Sequence, residues 1–267
     1  MQIVTIPFFH VDAFTDRPFA GNPAAICLLD RPRDPAWMRQ VAAEVNLSEA
    51  AFVVRIEGGY GLRWFTPTVE VDLCGHATLA AAHVLWESRR LAAAAAARFH
   101  TRSGWLTATR DGDWITLDFP ALAIAPGPVP EAVVRALGIE PRLTGMCGAR
   151  WMVEAADEGT VRRLRPDLAQ LRAVPGRALM VTAAGDADSG HDFVSRYFAP
   201  WVGVNEDPVT GSAHCGLGPF WGARLGKRLL TAYQASPRGG TLRVGLAGDR
   251  VHLGGQAVTI VSGEFHT

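Results

Sequence analysis

The chain has 267 residues, of which 48% are hydrophobic and 19% charged, and its 26 basic residues balance its 26 acidic ones. Such a composition builds a sizeable core and excludes an extended disordered chain. Zero net charge, with arginines scattered singly apart from Arg89–Arg90 and the cluster Arg162, Arg163 and Arg165, argues against nucleic acid and anionic membranes as partners.

Taken in order, the start Met1-Gln2-Ile3-Val4-Thr5 lacks the basic region and apolar core of a signal peptide. β-rich or alternating stretches follow at Ile3–Phe14, Ala24–Leu29, Ala51–Ile56, Gly61–Thr66, Ala97–Ser103 and Trp114–Phe119. Between them, Asp34 is placed to cap an amphipathic helix over Pro35–Val45 that buries Trp37, Met38, Val41 and Val45. The alanines from Ala92 to Ala97 are too few to span a bilayer, so a soluble protein is expected.

Prolines 120, 126, 128 and 130 mark a linker. Beyond it come helices at Glu131–Leu137 and Val161–Leu171, and β-like runs at Ala178–Ala183, Asp192–Phe198, Thr241–Leu246, Val251–Leu253 and Ala257–Val261. Two domains are expected, 1–122 and 123–267, with the last strand able to return to the first. Many strands with few helices predict an α+β fold of sheets wrapped around helices rather than a doubly wound sheet.

Two segments echo one another. Cys74-Gly75-His76-Ala77 and Thr210-Gly211-Ser212-Ala213 each open an Ala/Gly-rich stretch that is apolar nearly all round, the pattern of a buried central helix. A helix start after a glycine turn offers N–H groups and the positive end of its dipole to an anion, so the pair is expected to grip one carboxylate.

Lys227 is the chain's single lysine, which argues against pyridoxal-phosphate chemistry with its Schiff-base lysine. The cysteines Cys27, Cys74, Cys147 and Cys215 form no CxxC pair and suit free thiols in a reducing cytoplasm. No HExxH or clustered ligand set appears, and His76 and His83 are about 10 Å apart along a helix, so no metal is expected.

Glu49 stands against the apolar strand that follows it. Burial would tune its carboxyl to about pH 6–7, suited to taking and returning a proton; pairing with a surface arginine is the plainer alternative. His76, at a helix start, is expected to be neutral, and as a lone histidine it also fits a satisfied core residue. Cys74 precedes the helix, where the dipole favours an accessible thiolate. A two-thiol racemase would need a second cysteine at Thr210, and Cys215 lies too far into the helix. Asp207, Thr210 and Ser212 suit helix capping as well as ligand binding. Phe19-Ala20-Gly21-Asn22-Pro23 reads as turn chemistry.

Together, Asp12-Ala13-Phe14, Gly21-Asn22-Pro23, Asn46-Leu47-Ser48-Glu49, Phe65-Thr66-Pro67, Cys74-Gly75-His76-Ala77-Thr78 and Glu206-Asp207-Pro208-Val209-Thr210-Gly211-Ser212-Ala213 closely resemble the PhzF-like family of phenazine biosynthesis. The resemblance implies the diaminopimelate epimerase-like fold, two pseudo-symmetric domains each with mixed strands around a central helix, and an active site in the cleft between them. It also implies isomerisation by proton transfer without a cofactor, commonly in a homodimer. By the same resemblance Glu49 is the acid/base, His76 and Asp207 assist it, and Gly75, Gly211 and Ser212, with Cys74 and Thr210 beside them, meet the substrate carboxylate. In the phenazine enzyme the substrate is dihydro-3-hydroxyanthranilate; that enzyme has a small residue where this chain has Cys74, and its helix entrance differs at Ala77 and Thr78. The expected function is an isomerase of a small carboxylated metabolite. An amino-acid epimerase using Cys74 and Glu49, or a non-catalytic binding protein of the same fold, are the alternatives.

Overall fold

The computed structural model describes residues 5–266; Met1 to Val4, which carry the leader reading and the start of the first β stretch, lie outside the described residues. The chain divides into two compact units, one running to Asp118 and resumed from Gly254, the other Phe119–Leu253.

In the first unit, strand Thr5–Ala13 pairs antiparallel with Asn22–Leu29 on one side and with Ala257–His266 on the other. Helix α1 (Pro35–Val45) carries the chain across to Glu49–Ile56, parallel to 22–29, and a tight turn returns it as Gly59–Phe65, antiparallel. Helix α2 (Gly75–Glu87) makes the second crossover, to Ala97–Thr101, parallel to 59–65 and followed antiparallel by Gly104–Asp111. The two-residue period of the strands divides the core. Ala25, Cys27 and Leu29 meet Met38, Val41 and Ala42 of α1 on one face, while Ala24, Ile26 and Leu28 point the other way and are also buried. Helix α2 packs against strands 5–13, 22–29 and 49–56, and from His76 to Trp86 only His83 escapes full burial.

The second unit repeats this connectivity. Helix α3 (Glu131–Leu137) leads to Leu143–Cys147 and its antiparallel partner Arg150–Glu154. Helices α4 (Glu158–Arg163) and α5 (Leu168–Arg172) cross to Ala178–Ala184, parallel to 150–154, and Phe193–Ala199 returns antiparallel. Helix α6 (Gly211–Leu225) then crosses to Leu229–Gln234, parallel to 193–199, with Gly240–Ala247 antiparallel to that. Each unit is thus a hairpin, a crossover, a second antiparallel pair, a buried-helix crossover and a final pair. Among the described residues, no helix is long and apolar enough to cross a membrane.

Several elements differ from the sequence expectation. Asp34 caps α1 by accepting the Ala36 N–H at 2.7 Å, but Trp37 and Val45 are only half-buried, at the edge of the cluster that Met38 and Val41 enter. The single helix expected over 161–171 is two, each capped by an aspartate, Asp157 and Asp167, because Pro166 disfavours helical backbone at the residue before it. Strands 104–111, 143–147, 150–154 and 229–234 have no clear sequence signal. Along 104–111 only Ala108 is fully buried, so no apolar alternation marks it; in 229–234 the buried face is Leu230, Ala232 and the polar Gln234.

Helix α6 departs from helix-forming composition for a packing reason. A Cβ at Gly218 would lie 2.4 Å from Val244 Cγ1, and one at Gly222 would lie 2.3 Å from Leu246 Cδ1 and 2.9 Å from the Lys227 carbonyl oxygen. These glycines, four apart on one face, let the helix backbone press onto strand 240–247. Pro219, inside the helix, has no N–H for the Cys215 carbonyl; the Leu122 N–H fills that place at 2.9 Å. Gly218→Ala is expected to lower stability by about 1–3 kcal/mol through overpacking, although alanine favours an isolated helix by roughly 1 kcal/mol. With Val244→Ala added, the loss in urea titration should be smaller than the sum of the single losses. A Gly218→Ala midpoint at or above wild type would mean that close approach does not select glycine here.

Candidate active site

The first cluster is assembled by the start of α2 and the ends of two parallel strands. Glu49 opens strand 49–56 and pairs in register with Ala24, two residues beyond Asn22 at the start of 22–29. Cys74 is the N-cap of α2 and His76 its second residue. This places His76 Nε2 3.3 Å from Glu49 Oε2, and His76 Nδ1 3.2 Å from Asn22 Nδ2 and 3.5 Å from Cys74 Sγ. An amide NH₂ donates, so Nδ1 accepts from Asn22 and the imidazole proton sits on Nε2, where it donates to the Glu49 carboxylate.

Exposure separates the roles. His76 and Cys74 are 5% and 6% exposed and Asn22 is fully buried, whereas the Glu49 side chain keeps 21% of its surface open. Burial lowers the His76 pKa from 6.5 to about 3, so the ring is neutral at physiological pH. Neutrality was expected from the helix dipole; desolvation is the larger cause. Cys74, expected to be an accessible thiolate, is instead buried.

Asn22 is a site neighbour that the sequence reading assigned to turn chemistry. It is a strand residue, and the loop before it is anchored by Asp12, whose buried carboxylate accepts the Phe19 N–H at 2.8 Å. Phe19 is held there with φ of 66° and its side chain is 77% exposed.

The second cluster surrounds the start of α6. Asp207 ends the short strand Val204–Asp207, and its carboxylate accepts the Thr210 hydroxyl at 2.5 Å. Thr210 is the N-cap of α6 without a side-chain capping bond to the helix, its hydroxyl being turned to Asp207. Gln234 fixes this turn from strand 229–234: its Nε2 donates to the Asp207 carbonyl at 2.7 Å and its Oε1 accepts the Thr210 N–H at 2.8 Å. His214 Nδ1 lies 2.9 Å from the Thr210 carbonyl, which only accepts, so that nitrogen carries the proton. Gly211 is buried, and the Ser212 carbonyl accepts from Arg150 at 3.2 Å. Sequence reasoning singled out neither Gln234 nor His214; a lone amide and a first-turn histidine within an apolar helix carry no distinguishing local pattern.

The remaining candidates go elsewhere. His83 sits 3.6 Å from Glu87 and 3.1 Å from Thr259. Cys215 packs with Sγ 3.7 Å from the Gly211 carbonyl, and burial pushes its thiol up to about 12. Lys227 pairs with Asp192 at 2.5 Å. Among the described residues, one group has the donors to hold a metal ion: Glu49, Cys74 and His76 each offer a ligand atom, all within 4.8 Å of one another. Chemically, the first cluster joins a part-exposed carboxylate to a neutral hydrogen-bond donor, and the second sets a hydroxyl and a carboxylate beside a helix start.

Residues 11–263 match the family model described as phenazine biosynthesis-like protein, PhzC-PhzF. The chain is 49% identical to an uncharacterized isomerase of Halalkalibacterium halodurans over 98% of its own length and 99% of that protein's. Among solved structures it is similar to a phenazine biosynthesis protein of the PhzF family from Enterococcus faecalis, at a TM-score of 0.94 and 42% identity, covering 99% of this chain and 100% of the other. A predicted epimerase of Pseudomonas aeruginosa, 20% identical with a TM-score of 0.75 over 97% of this chain and 99% of the other, shares the fold. The fold is α+β and diaminopimelate epimerase-like, and by family model, relatives and structure alike the chain belongs to the PhzC-PhzF family of phenazine biosynthesis-like proteins.

Proposed function

We propose that the protein is an isomerase of a small carboxylated metabolite in which Glu49, without a cofactor, removes an acidic C–H proton and returns it at another carbon. The observation that carries this reading is the 3.3 Å contact between Glu49 and a buried His76 that stays neutral. A group that cycles a proton must reach solvent-side substrate and yet be held in place; the part-exposed carboxylate on a fixed N–H donor meets both needs. His76 stabilises the carboxylate form and steadies the acid form that follows proton removal. Asp207, Thr210 and Ser212 with the N–H groups at Gly75 and Gly211 are read as assisting proton movement and binding the substrate carboxylate. Relatives named as isomerases support the reaction class. We read the enzyme as a cytoplasmic homodimer, from the resemblance and the free thiols.

The unlike-base epimerase has one observation in its favour, a thiol beside the carboxylate. Distance weighs against it. Two bases on opposite faces of a carbon, each about 3–3.5 Å from it, stand roughly 6–7 Å apart, while the Cys74 sulfur and a Glu49 oxygen are within 4.8 Å.

Glu49→Gln is expected to leave the circular dichroism unchanged and to reduce solvent deuterium incorporation into the substrate, found by screening carboxylated metabolites, by at least about 10²- to 10⁴-fold. Near-normal exchange in that variant would remove Glu49 from the mechanism. Cys74→Ala should keep activity within about tenfold, or roughly 1.4 kcal/mol of barrier; a loss as large as that of Glu49→Gln would restore the epimerase reading. The His76 ring, its pKa lowered, should remain neutral in ¹⁵N NMR from pH 8 down to about pH 4, with Nε2 protonated. A titration centred near 6.5 would contradict the buried, neutral donor.

A further inference from the structure

We propose that the start of α2 binds a thiophilic divalent cation of the zinc class through Cys74 Sγ, His76 Nε2 and a Glu49 oxygen, and that the bound ion holds the protein in an inhibited state. The binding stands on geometry; the inhibition rests on the reading of Glu49 as acid/base.

Three donors of three kinds, a thiolate sulfur, an imidazole nitrogen and a carboxylate oxygen, match the ligand types that zinc takes. In a tetrahedral zinc site with bonds of about 2.0–2.3 Å, ligand atoms are separated by roughly 3.3–3.8 Å. Here the His76 Nε2 to Glu49 Oε2 separation is 3.3 Å, the Cys74 Sγ to His76 Nε2 separation is 3.9 Å, and the whole set falls within 4.8 Å. Small side-chain rotations therefore close the shell. Cys74 and His76 are adjacent to one helix turn and Glu49 to a strand end, so the backbone already holds the donors in place.

Ligation through Nε2 moves the imidazole proton to Nδ1, where the buried Asn22 amide, turned to present its oxygen, accepts it at the distance already observed, 3.2 Å. An outer hydrogen bond of this kind orients most metal-bound histidines. The proton balance is simple: the Cys74 thiol gives up its proton to solvent as the metal–sulfur bond forms, the imidazole proton changes nitrogen, and the carboxylate contributes a lone pair. Three protein ligands leave a fourth position for water or a substrate carboxylate. The positive end of α2 opposes a cation, and the two anionic ligands offset it. With its oxygen on the ion, Glu49 no longer carries a proton.

The test uses the full chain, freed of metal with a chelator and titrated with Co²⁺. Expected are one ion per chain, tetrahedral absorption bands and a thiolate-to-cobalt charge-transfer band. That band should vanish in Cys74→Ser, and affinity should fall at least tenfold in Glu49→Gln with the band retained. Cys27 and Cys215, whose thiols burial pushes up to about 12, are poor sources of such a band. X-ray absorption of the zinc-loaded wild type, which does not depend on any variant folding, should show one sulfur at about 2.3 Å among nitrogen and oxygen ligands. No charge-transfer band in the wild type, a band that survives in Cys74→Ser, or a zinc shell without sulfur would each overturn the site. Those results leave the acid/base role of Glu49 standing, and unaltered exchange in Glu49→Gln would leave the metal site standing but end its inhibitory meaning.

Discussion

The arrangement depends on one buried imidazole that cannot afford a charge. His76 lies in the first turn of α2, and desolvation there keeps the ring neutral. Since Asn22 supplies an N–H to one ring nitrogen, the other must donate, and its acceptor is Glu49. Moving Glu49 or Asn22 would take a hydrogen-bond partner from the buried His76 ring, a cost of about 1–3 kcal/mol. The carboxylate is therefore held by a network whose other members are inside the core, and only its outer edge meets solvent.

The repeated connectivity of the two units explains how such a residue comes to be where it is. In each unit a parallel crossover returns the chain beside an earlier antiparallel pair, and the second crossover is a helix buried on nearly all sides. The polar groups of the two clusters gather at the start of each of these helices. In the first unit that end carries Cys74 and His76; in the second it carries Thr210, Gly211 and Ser212, tied down by Gln234 and Asp207. The second helix meets its neighbours at backbone distance through Gly218 and Gly222, and Leu122 takes over the carbonyl that Pro219 leaves unbonded.

The same crowding distinguishes the cysteines. Cys27 and Cys215 are core residues whose thiols resist ionisation because burial gives a thiolate nothing to offset its lost hydration. Cys74 is also buried but touches His76, which is why its chemistry belongs with the histidine and the glutamate rather than with packing.

Much of this was legible along the chain. Unbroken apolar character after Cys74-Gly75 and Thr210-Gly211 marks two buried helices, Asp34 before Pro35 marks α1, and apolar runs over 24–29, 51–56 and 178–183 mark strands, because burial on all sides or on alternating sides leaves a local imprint. The family resemblance is what gives Glu49, His76 and Asp207 roles; local sequence offers them only as candidates beside plainer structural readings. What it does not carry is any relation across the chain. That Asn22 meets His76, that Gln234 reaches Asp207 and Thr210, and that a carboxylate, a thiol and an imidazole from two elements converge within 4.8 Å follow from strand register and helix placement. The sequence by itself determined which segments had to be buried and which residues had reactive groups; only the tertiary structure decided which of those groups are neighbours, because a hydrogen bond between residues 54 positions apart is set by packing and leaves no local periodicity.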